Sequence, residues 1–182
     1  TLTRRYVDAV SASRAVICET RKTLPGMRGL EKYAARCGGA VLHRLGLHDA
    51  LLYKDNHLSG IDVDELGARL TEAIEWTRGQ GEVRFVEVEV DSLEQLKAVL
   101  GMETGLVDIV LLDNMAPAML IEAVAMRDSF AHERGGRDVL LEASGGVTLE
   151  TVKAIAATGV DRISVGAITH SAPMLDLGLD FA

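Results

Sequence analysis

Apolar and polar positions along this chain switch repeatedly between two periods. Short runs rich in β-branched residues, at 15–19 (AVICE), 51–54, 83–90 (VRFVEVEV), 108–112, 139–141 and 162–165, have the length and composition of buried strands. Between them, apolar residues recur every three or four positions near 29–37, 63–78, 92–100, 117–133 and 149–157, which predicts helices with one buried face. The opening TLTRRYVDAV reads as the middle of a further amphipathic helix. Asp62 with Glu65 and Ser92 with Gln95 have the spacing of capping boxes, Pro117 suits a first helical turn, and Asn114 reads as a helix cap.

Strands alternating with helices predict a parallel sheet built by right-handed crossovers, either doubly wound or closed into a barrel. The strand ends decide between them. Arg21 and Lys22 follow the first strand, Lys54 ends the second, Glu87 and Glu89 lie on the third, Asp113 ends the fourth, Ser144-Gly145-Gly146 follows the fifth and Gly166 the sixth. An open sheet concentrates ligand contacts at one switch point, whereas a barrel draws them from many strand ends. The expectation is an irregular, partly open β/α barrel of about six parallel strands, one domain over 1–182.

Composition narrows the function. The 182 residues are 48% apolar and carry 19 Lys and Arg against 27 Asp and Glu, a net charge of −8. That is a foldable, soluble composition without the basic footprint of a nucleic-acid binder. The longest apolar stretch, 116–126, is broken by Glu122 and is too short to span a bilayer, so no membrane segment is expected. Cys18 and Cys37 are too few for a disulfide framework, which favours reduced thiols in a cytoplasm. With no initiator Met and no signal peptide, the chain reads as a piece of a longer protein.

Glu87 and Glu89, two apart on a strand, project to one side while the intervening valines face the helices. Carboxylates inside a barrel need partners, and Arg21, Lys22, His43, Arg44 and Lys54 supply an opposing cationic half. Planar guanidinium groups suit a substrate bearing more than one carboxylate. Ser144-Gly145-Gly146 and Val165-Gly166-Ala167 form two neighbouring small-residue loops whose N–H groups could hold a phosphate without net positive charge. Glu89 with Asp113 could hold Mg²⁺ through water. His132 and Ser13 have no visible catalytic partners, and Met115, Met119 and Met126 are most simply core.

Several strings carry a specific resemblance. They are Glu19-Thr20-Arg21-Lys22-Thr23, Arg36-Cys37-Gly38-Gly39, His43-Arg44-Leu45-Gly46-Leu47, Lys54-Asp55-Asn56-His57, Glu87-Val88-Glu89-Val90, Leu111-Leu112-Asp113-Asn114-Met115, Glu142-Ala143-Ser144-Gly145-Gly146 and Ser164-Val165-Gly166-Ala167-Ile168-Thr169-His170-Ser171. Together they resemble the quinolinate phosphoribosyltransferase family, the carboxylating nicotinate-nucleotide pyrophosphorylases, over nearly the whole chain.

The resemblance implies a pentosyltransferase that joins quinolinate to phosphoribosyl pyrophosphate with Mg²⁺, releasing pyrophosphate and CO₂ and giving nicotinate mononucleotide for NAD synthesis. Carried over, Arg21, Lys22, His43, Arg44 and Lys54 would hold quinolinate and the sugar donor, and Glu89 and Asp113 would face ribose and magnesium. Ser144, Gly145 and Gly166 would take the 5-phosphate, with His170 nearby, and Lys54, Glu89 and Asp113 would be catalytic. The family's N-terminal α/β domain is not in this sequence. In the usual homodimer that domain completes the partner's site, so the chain alone is expected to be poorly active.

Where the family often has Gly-Gly-Gly and Asn-His-Arg, this chain has Gly38-Gly39-Ala40 and Leu42-His43-Arg44. The alternatives are a related pyridine-base phosphoribosyltransferase and a non-catalytic sugar-phosphate-binding barrel. Lys54-Asp55-Asn56-His57 argues against a paralogue associated with molybdenum transport.

Overall fold

The computed structural model describes residues 1–134 and 139–180. Six parallel strands are joined by helices: α1 (Leu2–Val10), β1 (Val16–Cys18), α2 (Arg28–Cys37), β2 (Leu51–Tyr53), α3 (Asp55–Leu58), α4 (Val63–Arg78) and β3 (Val86–Val90) form the first half. The second half is α5 (Leu93–Leu100), β4 (Ile109–Asp113), α6 (Pro117–Arg134), β5 (Leu140–Ser144), α7 (Val152–Ala156), β6 (Arg162–Ser164) and α8 (Ala167–His170). The short helices α3 and α8 were not anticipated; each is four residues long, about one turn, too short to establish a period.

The strand order is β1-β6-β5-β4-β3-β2. Read from β2 it runs in chain sequence to β6 and ends at β1, the cyclic order of a barrel, with no reversal that would make a switch point. The sheet is open between β1 and β2. Chain returning from α2 partly fills this seam: Val41 bridges Cys18, donating its N–H to Ile17 O and accepting that of Glu19.

Strand β3 shows why the sheet holds. All five residues of VEVEV are buried, because helices cover one face and the strand-ringed interior occupies the other. Val86, Val88 and Val90 belong to a continuous core with Leu112, Leu141 and Ile163 on the other strands and Leu66, Leu70, Ile74 and Leu96 on α4 and α5. At roughly 1.5–3 kcal/mol per buried aliphatic side chain, this packing is the main stabilising term.

Three cap expectations change. Ser92 accepts from Gln95 N, but Gln95 Oε1 reaches Asp91 N instead of closing the box on Ser92. Asp62 occupies the N-cap of α4 without a side-chain cap bond. Asn114 is no cap: α6 begins at Pro117, and Asn114 adopts a left-handed φ of +53° with its Nδ2 donating to Asp113 Oδ2 at 2.7 Å. Met115 is buried, while Met119 and Met126 pack against the core partly exposed. Among the described residues no helix is long and apolar enough to cross a membrane.

Candidate active site

Parallel strands bring all their carboxyl ends to one mouth, and there a cavity of about 510 Å³ opens. Arg21, Lys22, His43, Arg44, Lys54, Glu89, Asp113, Ser144 and Gly145 line it, together with Asn114, Gly146 and Ser164. Gly166 and His170 do not line it but stand beside it. A Cβ placed on Gly166 would lie 2.9 Å from His170 Nε2 and 3.6 Å from Lys22 Cδ.

On the cationic side, Arg44 is buried and its Nη1 donates to Ala50 O at 3.2 Å. The Nε atoms of Arg21 and Arg44 are both buried without a hydrogen-bond partner. Burial lowers the Arg44 pKa, and the like charge of Arg21 lowers it further; Glu87 and Asp49 offset only part of this. Two adjacent guanidinium groups with unanswered donors form a site that an anion would stabilise, since a desolvated charge is costly until paired.

On the acidic side, Lys54 Nζ meets Glu89 Oε2 at 2.5 Å. Glu89 and Asp113 also border an adjoining cavity of about 450 Å³ that takes in Asp55 and Asp91. These are hard oxygen donors with room for water between them, so the residues fit Mg²⁺ held largely through its hydration shell. The one closely spaced set of three potential ligands among the described residues lies elsewhere: His43, Glu87 and Glu142, all buried.

That trio forms a floor beneath the cavity. His43 Nε2 lies 2.7 Å from Glu87 Oε2 and 3.8 Å from Glu142 Oε1. Arg162 Nε donates to Glu142 Oε2 at 2.5 Å, and Ser164 Oγ donates to Glu142 Oε1. Burial raises the Glu87 pKa and the charge of Glu142 raises it further, against the opposing pull of His43 and Arg162. For His43, burial works downward but the Glu87 contact outweighs it, so its pKa sits above the usual histidine value. Beside the floor, Lys32 pairs with Glu19 in full burial, and Glu19 Oε1 accepts the His43 N–H at 2.7 Å.

Sequence reasoning singled out neither Glu19, Lys32, Glu142, Arg162 nor Ser164 as site residues. For Glu142 a signal was present: it follows directly on an apolar strand run, as Glu87 lies within one, whereas Arg162 opens its strand and carries no such mark.

Opposite the cations, Gly145 and Gly146 adopt φ of +97° and +56°. A Cβ on Gly145 would come within 2.1 Å of Asn114 Oδ1, so only glycine permits the β5 loop to lie against the end of β4. The N–H groups of these two glycines have no acceptor among the described residues.

A parallel β/α sheet in barrel order, with cationic side chains facing carboxylates and a glycine loop across one mouth, defines a β/α barrel domain with its candidate site at the carboxyl ends of the strands. Residues 1–180 match the family model for the quinolinate phosphoribosyl transferase C-terminal domain, and the chain belongs to that family. It is 47% identical over 180 residues to the nicotinate-nucleotide pyrophosphorylase (carboxylating) of Mycobacterium leprae, covering 99% of this chain and 58% of that protein. It is 40% identical to the chloroplastic carboxylating pyrophosphorylase of Arabidopsis thaliana, covering 98% of this chain and 51% of that protein. Among solved structures, the nicotinate-nucleotide pyrophosphorylase from Francisella tularensis superimposes with a TM-score of 0.77 at 39% identity, covering 93% of this chain and 54% of that one. The chain thus spans a little over half the length of the relatives it matches.

Proposed function

We propose that this chain forms the barrel part of a carboxylating nicotinate-nucleotide pyrophosphorylase, transferring phosphoribosyl from phosphoribosyl pyrophosphate to quinolinate. The observation that carries the reading is the gathering of Arg21, Lys22, Arg44 and Lys54 around one cavity, with the Nε donors of both arginines left without a hydrogen-bond partner. A pyridine with two adjacent carboxylates satisfies those donors better than nicotinate, which has only one. The Ser144-Gly145-Gly146 loop is assigned to the sugar phosphate, with Gly166 and His170 at its margin.

In this reading the quinolinate nitrogen attacks the anomeric carbon as the C–O bond to pyrophosphate breaks. Glu89 and Asp113 stabilise positive charge growing on the ribose, an electrostatic contribution fixed in place before the reaction. Glu89 and Asp113 would hold magnesium, which when bound would supply charge neutralisation for the departing pyrophosphate. Ribosylation leaves the ring nitrogen cationic. The electrons of the breaking bond to the 2-carboxylate flow into the ring as CO₂ leaves, and the ring carbon then takes a proton from water. Arg44 and Lys54 orient that carboxylate, and no covalent enzyme intermediate is required.

A homodimer in which the partner's N-terminal domain completes the site, and a cytoplasmic location, belong to the same proposal. The test is quinolinate-dependent CO₂ release by the full-length protein. Turnover with quinolinate but not nicotinate supports it, and Lys54→Ala should lower turnover at least about tenfold. Turnover with nicotinate alone, or binding of the sugar donor without pyrophosphate release, would replace this reading with one of its rivals. Residues 1–182 assayed alone should show little activity.

A further inference from the structure

Arg44 lies on chain that no strand supports. From 42 to 50 the backbone is irregular, on the open seam between β1 and β2, so the sheet ladder does not fix where this guanidinium points. We propose that Glu87 is a positioning residue for Arg44, acting through the imidazole of His43. The proposal rests on the functional reading above, in which Arg44 holds a substrate carboxylate.

The linkage is continuous. Glu87 is fully buried on β3, whose ladder partners at that position are Leu52 on one side and Ile109 on the other, so its backbone is fixed. Its Oε2 lies 2.7 Å from His43 Nε2. At the other edge of the ring, His43 Nδ1 accepts the backbone N–H of Arg44 at 2.8 Å. A ring nitrogen that accepts an N–H carries no proton, so in the neutral ring the imidazole proton belongs to Nε2, the nitrogen nearest Glu87. Both nitrogens are therefore engaged within the protein, and the ring presents carbon rather than a charged donor to the cavity. His43 is a strut between a sheet carboxylate and the Arg44 peptide.

Among the described residues no Lys or Arg lies within ion-pair distance of Glu87, although the charge of Arg162 acts on it from farther off. The other floor acid, Glu142, is held by Arg162 and Ser164, whereas both Glu87 oxygens are buried without a hydrogen-bond partner. The 2.7 Å approach of His43 Nε2 to Oε2 is the one ion-pair contact Glu87 makes among the described residues. A metal ion between the three groups fits less well. An Nε2 to Oε2 distance of 2.7 Å leaves no space for an ion between those atoms, and a protonated Nε2 is not a ligand. Phe85, edge-on to the ring with centroids 5.6 Å apart, further limits its rotation.

The experiment uses the full-length protein, with Glu87→Leu removing the acceptor and Glu87→Gln retaining an amide oxygen that Nε2–H can reach. Glu87→Leu should raise KM for quinolinate about tenfold while KM for phosphoribosyl pyrophosphate and kcat move less than about threefold, and Glu87→Gln should restore most of the loss. Equal effects on both substrates, or no change, would overturn the proposal. Ring ¹⁵N shifts of His43 give a second readout that needs neither activity nor a stable Leu variant. The wild-type ring should have Nε2 protonated and Nδ1 bare; an Nδ1–H tautomer overturns the strut. If quinolinate is not a substrate at all, the functional reading fails while the shifts still report on the strut.

Discussion

The two sides of the barrel are built differently. On the closed side, β3, β4 and β5 are five residues long and each pairs with two neighbours. On the open side, β1 and β2 are three residues each, β2 is only half-buried, and the chain between them is largely loop. The acids and the glycine cradle stand on the closed side, directly at strand ends. Most of the cations stand on the open side, and there buried charges substitute for the missing ladder: Glu19 with Lys32, and Glu87 with His43. A side chain at the end of a paired strand is positioned by the sheet, whereas one on the seam needs a dedicated partner.

The largest effect that would test this contrast is on stability. Leu112, fully buried on β4, should cost about 3 kcal/mol on replacement by Ala, the usual penalty for a core cavity. Leu51→Ala on half-buried β2 should cost about 1 kcal/mol. Denaturant midpoints of the two variants measure the difference, and equal losses would mean that the open edge is as tightly built as the closed one.

Next in size is a pair of glycines. Gly145→Ala combines a left-handed backbone with a collision against Asn114 Oδ1, a cost of about 2 kcal/mol. Gly26→Ala has a similar φ of +75° but open space around it, leaving only the conformational strain of about 1 kcal/mol. Removing the obstacle with Asn114→Ala should recover part of the Gly145→Ala loss. If the double variant is no better than the single, the close approach of the β4 and β5 ends is not what demands glycine.

The same contrast explains what could be read from the chain. Strands β3 to β6 were legible because β-branched runs between helical periods leave few alternatives, and the positions of Glu89 and Asp113 followed from where those strands end, although β5 runs on to Ser144, three residues past its expected end at 141. The open side was harder. Lys54 and Arg21 could be placed because they follow strands, but no periodicity describes residues 42–50, so nothing local showed which groups His43 would meet. Its orientation depends on Glu19 and Glu87, 24 and 44 positions away in sequence, and such pairings emerge only when the barrel closes around them. Asn114 misled for a related reason: an Asn shortly before a helical Pro looks like a cap, yet the end of β5 claims its backbone N–H through Ser144 O.

A smaller effect concerns the seam loop itself. The Asp49 carboxylate accepts N–H bonds from Leu45 at 2.9 Å and Gly46 at 3.0 Å. Burial pushes its pKa upward, but these bonds and Arg84 prevail and hold it below the usual carboxylate value. A depressed folded-state pKa stabilises the fold above the unfolded value and loses that contribution as pH falls through the folded one. Asp49→Asn should therefore cost about 1 kcal/mol at pH 7 and flatten the loss of stability below about pH 4, measured as urea midpoint against pH. An unchanged midpoint at pH 7 would mean the loop needs no such tether.

The last comparison should leave stability untouched and report on how firmly the open edge is held. Cys18 ends β1 with no exposure, and Cys37 ends α2 exposed. Burial raises the Cys18 pKa well above the ordinary thiol value, and the charge of Glu142 adds to it, so at neutral pH almost no reactive thiolate exists there. A chromogenic disulfide reagent should therefore modify Cys37 in seconds to minutes and reach Cys18 only after denaturation. Because β1 is an edge strand whose outer side, among the described residues, pairs with the Val41 bridge, reaction at Cys18 requires that bridge to open or β1 to leave β6. Its rate measures the opening free energy of the seam. Rapid modification of both thiols in the native protein would show an edge too loose to hold Arg21 and Arg44 in one geometry, and the buried charge pairs would then be insufficient replacements for a strand.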